Sequence, residues 1–137
     1  MKWILTSVMM VFWAGAAICG EYVIIVNSGS SLSSVSATEL KRLYTGRMEN
    51  MGGNKMAPAN LSLSDAVSVS FLKEVVGKET ADYKSFWLAQ QIRGGSSAPV
   101  VKKSADAMIT FVKENPNAIG YVPKGAATDG VKVLEVK

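Results

Sequence analysis

Tyr22-Val23-Ile24-Ile25-Val26 is an unbroken run of apolar, mostly β-branched residues. A strand with one face in water alternates apolar and polar side chains, whereas a strand covered on both faces reads as a continuous apolar run. The run therefore predicts a buried strand, central in a sheet that carries helices on both sides. The polar stretch after it, Asn27-Ser28-Gly29-Ser30-Ser31-Leu32-Ser33-Ser34-Val35-Ser36, reads as a loop.

Ser36, with Glu39 three residues on, forms a capping box in which each side chain takes the other's free backbone N–H. Leu40, Leu43 and Tyr44 share one face of the helix it opens, and Gly46 ends it. Gly52-Gly53-Asn54 is a turn or hairpin signal. Met56 to Leu61 predicts a short strand in which Pro58 is held to an edge or a strand start. Ser62-Leu63-Ser64-Asp65 is a second N-cap region, after which Val67, Phe71, Leu72, Val75 and Val76 recur at helical spacing up to Gly77. Thr80 and Asp82 open a third helix with Tyr83, Phe86 and Trp87 on one face, fading into Arg93-Gly94-Gly95. Val100-Val101 is a short strand. Ser104 caps a fourth helix with Met108, Phe111 and Val112 inward, and Pro116 marks its end. Ala118 to Val122 and Val131 to Val136 are the last strands. The order β, α, β, α, α, β, α, β, β predicts an α/β fold, a mostly parallel sheet flanked by helices. The 137 residues, 48% hydrophobic and 19% charged, suit one domain with a modest core.

Residues 1–19 are read apart from that domain. Lys2 precedes an apolar stretch from Trp3 to Ala17, broken only by Thr6 and Ser7, with small residues at Ala14 to Ala17 and at Gly20. This is the layout of a secretory signal peptide, and the stretch is shorter than the roughly 20 residues of a membrane-spanning helix. Ala17 and Cys19 as the small residues of the cleavage site leave a mature domain at residues 20–137, released to the periplasm. Two other readings use the same residues: an uncleaved anchor, and a lipoprotein acylated at Cys19, against which the bulky Ile18 counts.

Cys19 is the single cysteine, and there is no histidine. The usual general base and the commonest metal ligand are therefore missing. A domain starting at residue 20 also lacks thiolate chemistry and disulfides. No phosphate-binding glycine loop or dinucleotide fingerprint occurs. The carboxylates fall mostly in first helical turns or on exposed faces, where they cap and solubilise. The sequence points away from an enzyme and implies no cofactor and no metal. Cleavage would remove Lys2 and no acid, leaving 14 basic and 11 acidic residues, a net charge of +3. The basic residues are scattered, with short pairs at Lys41-Arg42 and Lys102-Lys103. That is a surface able to attract small anions and not a nucleic-acid stripe.

Several segments resemble one family in the same order along the chain. Leu32-Ser33 with Thr38-Glu39-Leu40-Lys41-Arg42-Leu43-Tyr44-Thr45-Gly46-Arg47 resembles the LS-x-x-EL-x-x-I-F/Y-x-G-K/R segment of phosphate-type periplasmic solute-binding proteins. Phe71 to Lys78 is similar to their F-x-x-x-V-L-G-K helix. Tyr83 to Trp87, and Phe111-Val112 with Asn115 to Val122, look like Y-x-x-x-W and V-x-x-x-P-x-A-I-G-Y-V. Members of that family are two-lobed and grip the ligand between lobes. The resemblance covers only the lobe inserted in the middle, so it implies a single-lobe periplasmic-binding-protein-like domain with half a binding surface.

The resemblance implies binding of phosphate or a similar small oxyanion, possible service to the membrane permease of an ABC-type uptake system, and contacts on named residues. Ser62, Ser64 and Ser68 at the second helix, Ser28 and Ser30 after the first strand, and Arg47 as a source of charge are the candidate ligands. Ser64 and Phe71 match the family's S-x-x-x-R-x-x-F segment, but Ser68 stands where its arginine would, which removes the bidentate part of an anion cradle. Asp65 reads as an N-cap; in phosphate-binding proteins an aspartate can also accept the proton of a protonated oxyanion. Two alternatives follow from the departures. One is a ligand-free interaction or sensor-accessory domain docked on a membrane partner; the other is a homodimer in which two copies rebuild a cleft.

Overall fold

In the computed structural model, residues 22–95 and 97–137 are described; the expected signal peptide, its cleavage point and Cys19 lie outside them. The strands are β1 (Tyr22–Asn27), β2 (Ser34–Val35), β3 (Asn50–Met51), β4 (Asn54–Lys55), β5 (Ala57–Leu61), β6 (Val100–Lys102), β7 (Ala118–Pro123) and β8 (Val131–Val136). The helices are α1 (Ala37–Tyr44), α2 (Ala66–Phe71), α3 (Thr80–Ile92) and α4 (Ala105–Glu114). α2 runs on into a π-helical turn, Leu72–Val76, before Gly77 stops it at φ 76°.

Six strands form one sheet in the order β2-β8-β1-β7-β5-β6, and β3 and β4 form a separate hairpin around Gly52 and Gly53, both at positive φ. The apolar run becomes β1, inside the sheet as its composition demands. β1 is antiparallel to β7 and to β8, while β2 runs with β8, and β5 runs with β7 and β6. Five of the six strands therefore share one direction, and β1 alone opposes them. β2 falls within the stretch expected to be a loop. Its two residues pair Ser34 with Glu135 and Val35 with Val136, a length too short to leave a periodic signal.

Helices cover both faces. On one side Phe71 of α2 stacks on Tyr121 of β7 with ring centroids 4.0 Å apart, and Tyr44 of α1 meets Phe71 edge-on at 4.8 Å. On the other side α4 lies against β7 so closely that a Cβ on Gly120 would overlap the buried Met108 sulfur. Gly120 and Tyr121 are consecutive and so face opposite sides of the sheet. One admits a helix by having no side chain, and the other holds a helix through a large one.

Gly120→Ala is expected to destabilise the protein by about 1–3 kcal/mol, the usual cost of an extra methyl in a packed core. Urea denaturation measures it; an unchanged midpoint would mean that α4 does not sit so close.

Candidate functional site

The reversed direction of β1 sorts the expected ligand contacts into two ends of the sheet. Strands β2, β5 and β6 each feed a helix at one end: Ser36 caps α1, Asp65 caps α2 and Ser104 caps α4. In open α/β sheets, ligands sit outside the carboxyl ends of parallel strands. Ser62, Ser64 and Asp65 lie at that end, on the turn between β5 and α2. The hydroxyls of Ser62 and Ser64 are 3.1 Å apart. The Asp65 N–H donates to the Ser62 carbonyl at 2.9 Å, which folds the turn back on itself. Asp65 Oδ1 accepts the Val67 N–H at 2.9 Å, so the aspartate is the N-cap its position suggests. Ser64 and Asp65 are exposed.

Ser68, one turn into α2, is fully buried. Its Oγ lies 3.0 Å from the Tyr121 hydroxyl, which also donates to Asn60 Oδ1 at 2.9 Å. Asn60 Nδ2 donates to the Tyr83 hydroxyl at 3.2 Å, Tyr83 donates to the Tyr44 carbonyl at 2.8 Å, and Tyr44 donates to the Ala59 carbonyl at 2.7 Å. Ser68 is thus the outermost member of a buried polar chain beneath the serine turn. Asp65 is near enough to act on the Tyr121 phenol electrostatically. Sequence reasoning missed this chain: Asn60, Tyr44 and Tyr83 stand on three different elements, and only the tyrosines' helical spacing as core residues is legible.

Ser28 and Ser30 follow β1 and lie at the opposite end of the sheet, where β5 and β7 begin. Ser30 lines a hollow there of about 260 Å³ with Met56 and Asn117. Its hydroxyl accepts the Leu32 N–H at 3.2 Å, and Lys132 Nζ donates to its carbonyl at 3.1 Å. The expectation that these serines join Ser62 and Ser64 presumed that β1 runs with its neighbours; its reversal separates them. Arg47 comes after the C-terminus of α1, also away from the serine turn, and lines a hollow of about 340 Å³ with Lys41, Arg42 and Lys78. Of the seven expected contacts, three gather at one turn, one is buried beneath it, and three lie elsewhere. No group of three His, Cys, Asp or Glu side chains suited to a metal occurs among the described residues.

No family model matches the sequence, and no curated protein does. Solved structures do. An ABC-type phosphate transport receptor from Vibrio cholerae superimposes with a TM-score of 0.67 at 21% identity, over 85% of this chain and 46% of the receptor. Over that span the chain shares the receptor's fold. A putative phosphate ABC transporter substrate-binding protein with bound phosphate from Clostridium perfringens gives 0.68 at 20% identity, over 85% and 44%. PstS from Borrelia burgdorferi gives 0.66 at 18%, over 85% and 47%. The chain spans less than half the length of each, as the one-lobe resemblance implies.

Burial holds the Tyr44, Tyr83 and Tyr121 phenols above their ordinary pKa of 10.0; for Tyr121 the hydrogen bond to Ser68 opposes that shift without cancelling it. A raised folded-state pKa favours the protonated form, so this contribution to stability is complete below about pH 10 and is lost as pH rises towards the folded values. We therefore expect the urea midpoint to fall above about pH 10. Tyrosinate absorbance of these three of the four tyrosines should appear with unfolding and not ahead of it. Their ionisation in the folded protein near pH 10.0 would show the polar chain to be open to water.

Proposed function

We propose that this is an exported lobe that binds phosphate or a similar small oxyanion at the turn between β5 and α2, for delivery to a membrane permease. The observation that carries the reading is the meeting of Ser62, Ser64 and Asp65 at the carboxyl ends of the parallel strands, in a fold whose solved neighbours include one with phosphate bound. The serine hydroxyls donate to the anion's oxygens. Asp65 has one carboxylate oxygen on the α2 backbone and presents the other as an acceptor. An acceptor there favours hydrogen phosphate, which brings a proton, over sulfate, which brings none at neutral pH. The turn lines neither the hollow beside Ser30 nor the one beside Arg47, as half of a two-sided grip would.

A second reading has its own observation. Leu88 and Ile92 on α3 are 60% and 79% exposed, and Val100 and Val101 on the edge strand β6 are 46% and 50% exposed. Apolar side chains left in water favour a protein-docking role, with a membrane sensor or a second copy as partner.

The test is a thermal melt with phosphate, sulfate and chloride titrated in parallel. Ligand at about 100 times its Kd stabilises a one-site binder by about 2.7 kcal/mol, and each kcal/mol moves the midpoint by roughly 3–6 °C at this size. A saturating rise specific to phosphate is expected, and Ser64→Ala should weaken it. Asp65→Asn keeps a good N-cap and removes the charge, so it should fold normally and let sulfate bind. A wild-type midpoint unmoved by phosphate, or moved equally by all three anions, would reject the binding reading and leave the docking one.

A further inference from the structure

The hollow beside Arg47 has a composition that the serine turn does not account for. Its charged lining is Lys41 and Arg42 from α1, Arg47 after α1, and Lys78 after the π-helical turn, with no carboxylate among the lining residues. The basic groups come from separate segments and converge. Lys41 Nζ lies 4.0 Å from where a Cβ on Gly77 would stand, so the α1 lysine reaches across to the end of the π turn. Lys78 Nζ sits 5.1 Å over the Phe86 ring in a cation–π contact. Thr38 and Thr45 add hydroxyls to the lining. Lys41, Arg42 and Arg47 are exposed, and no ion pair with an acid is found for any of the four cations among the described residues. The acids nearest in sequence, Glu39, Glu49 and Glu79, do not line the hollow.

Helix polarity explains part of this. Cations in the last turn of α1 complement its negative end, which carries roughly half an elementary charge. Two such helix ends, α1 and the π turn, amount to about one negative charge against four positive ones. That role needs neither a hollow nor Arg47. Like charges held together repel unless an anion shields them.

We propose that this hollow is a binding site for a doubly phosphorylated small molecule or headgroup, in which two phosphate groups lie within a few bonds of each other. At neutral pH a phosphate monoester carries about −1.5 to −2 and a diester about −1, so in either form a pair of phosphates balances the four cations better than a single one does. Arg42 and Arg47 suit bidentate contacts to phosphate oxygens, Lys41 and Lys78 add two ammonium donors, and Phe86 offers an apolar wall. The site is separate from the serine turn and does not depend on it.

Isothermal titration of the purified protein with inorganic pyrophosphate tests the site. Sedimentation with cardiolipin vesicles against phosphatidylcholine vesicles tells a soluble source from a lipid one. Arg42→Gln/Arg47→Gln and Lys41→Gln/Lys78→Gln should each raise the Kd about tenfold or more, two charge-assisted contacts being lost. Lys103→Gln/Lys124→Gln, with the same loss of charge elsewhere, should change it less than about twofold. Ser64→Ala should leave pyrophosphate binding intact even where it abolishes phosphate binding, which keeps the two sites distinguishable. Melting curves confirm that each variant folds. Loss confined to the two hollow variants supports the site, with pyrophosphate or with cardiolipin as its source. No binding of either probe by the wild-type protein, or equal loss in the control pair, overturns it.

Discussion

Tyr121 is the point through which most of this lobe is tied together. Its ring stacks on Phe71, and its hydroxyl reaches Asn60 on β5 and Ser68 on α2. From Asn60 the hydrogen bonds continue to Tyr83 on α3 and to the backbone of α1 at Tyr44. Two strands and three helices thus share one buried chain of polar groups. Such groups are costly when unpaired and rigidifying when satisfied. In a domain with no disulfide to lean on, the chain fixes how the helices register on the sheet, which hydrophobic packing alone leaves looser. The serine turn rests directly on the outer end of this chain, so its geometry is inherited from the core beneath it.

The second organising fact is the direction of β1. Five strands finish at one end of the sheet, and three of them, β2, β5 and β6, deliver helix starts there. Helices that begin at that end finish at the other. The structure therefore has a face of capped helix N-termini and serine hydroxyls, and a far end where cations gather. Asn27, at the end of β1, shows the same division: its side chain donates to the Val112 and Lys113 carbonyls at 2.9 and 3.0 Å, closing the C-terminus of α4.

Much of the architecture is legible in the sequence because it is local. The capping box at Ser36 and Glu39, the stops at Gly46 and Gly77, the cap at Ser104 and the continuous apolar run of β1 all report on neighbours in the chain. Gly120 in a strand signals a close approach, and the structure supplies Met108 as what approaches. Strand direction is not local. Nothing in Tyr22 to Val26 says whether its neighbours run with it, and that one unknown decides whether Ser28 and Ser30 meet Ser64. Ser68 reads as one serine of several in an N-terminal stretch, and only the position of Tyr121, 53 residues on, takes it into the interior. The cationic hollow is hidden for the same reason: Lys41, Arg47 and Lys78 look scattered until α1 and the π turn are packed together.

The register of β1 against β8 has a consequence for how such a lobe can be used. Ile24 pairs with Leu134, so continuing the ladder brings Tyr22 opposite Val136. Lys137 is held beside β2, where its N–H donates to the Val35 carbonyl at 2.8 Å. The described chain thus enters and leaves side by side at one end of the sheet. A unit with adjacent ends can be spliced into a loop of another domain without stretching either partner. The same geometry lets the sheet keep its packing whatever the two neighbouring ends are joined to.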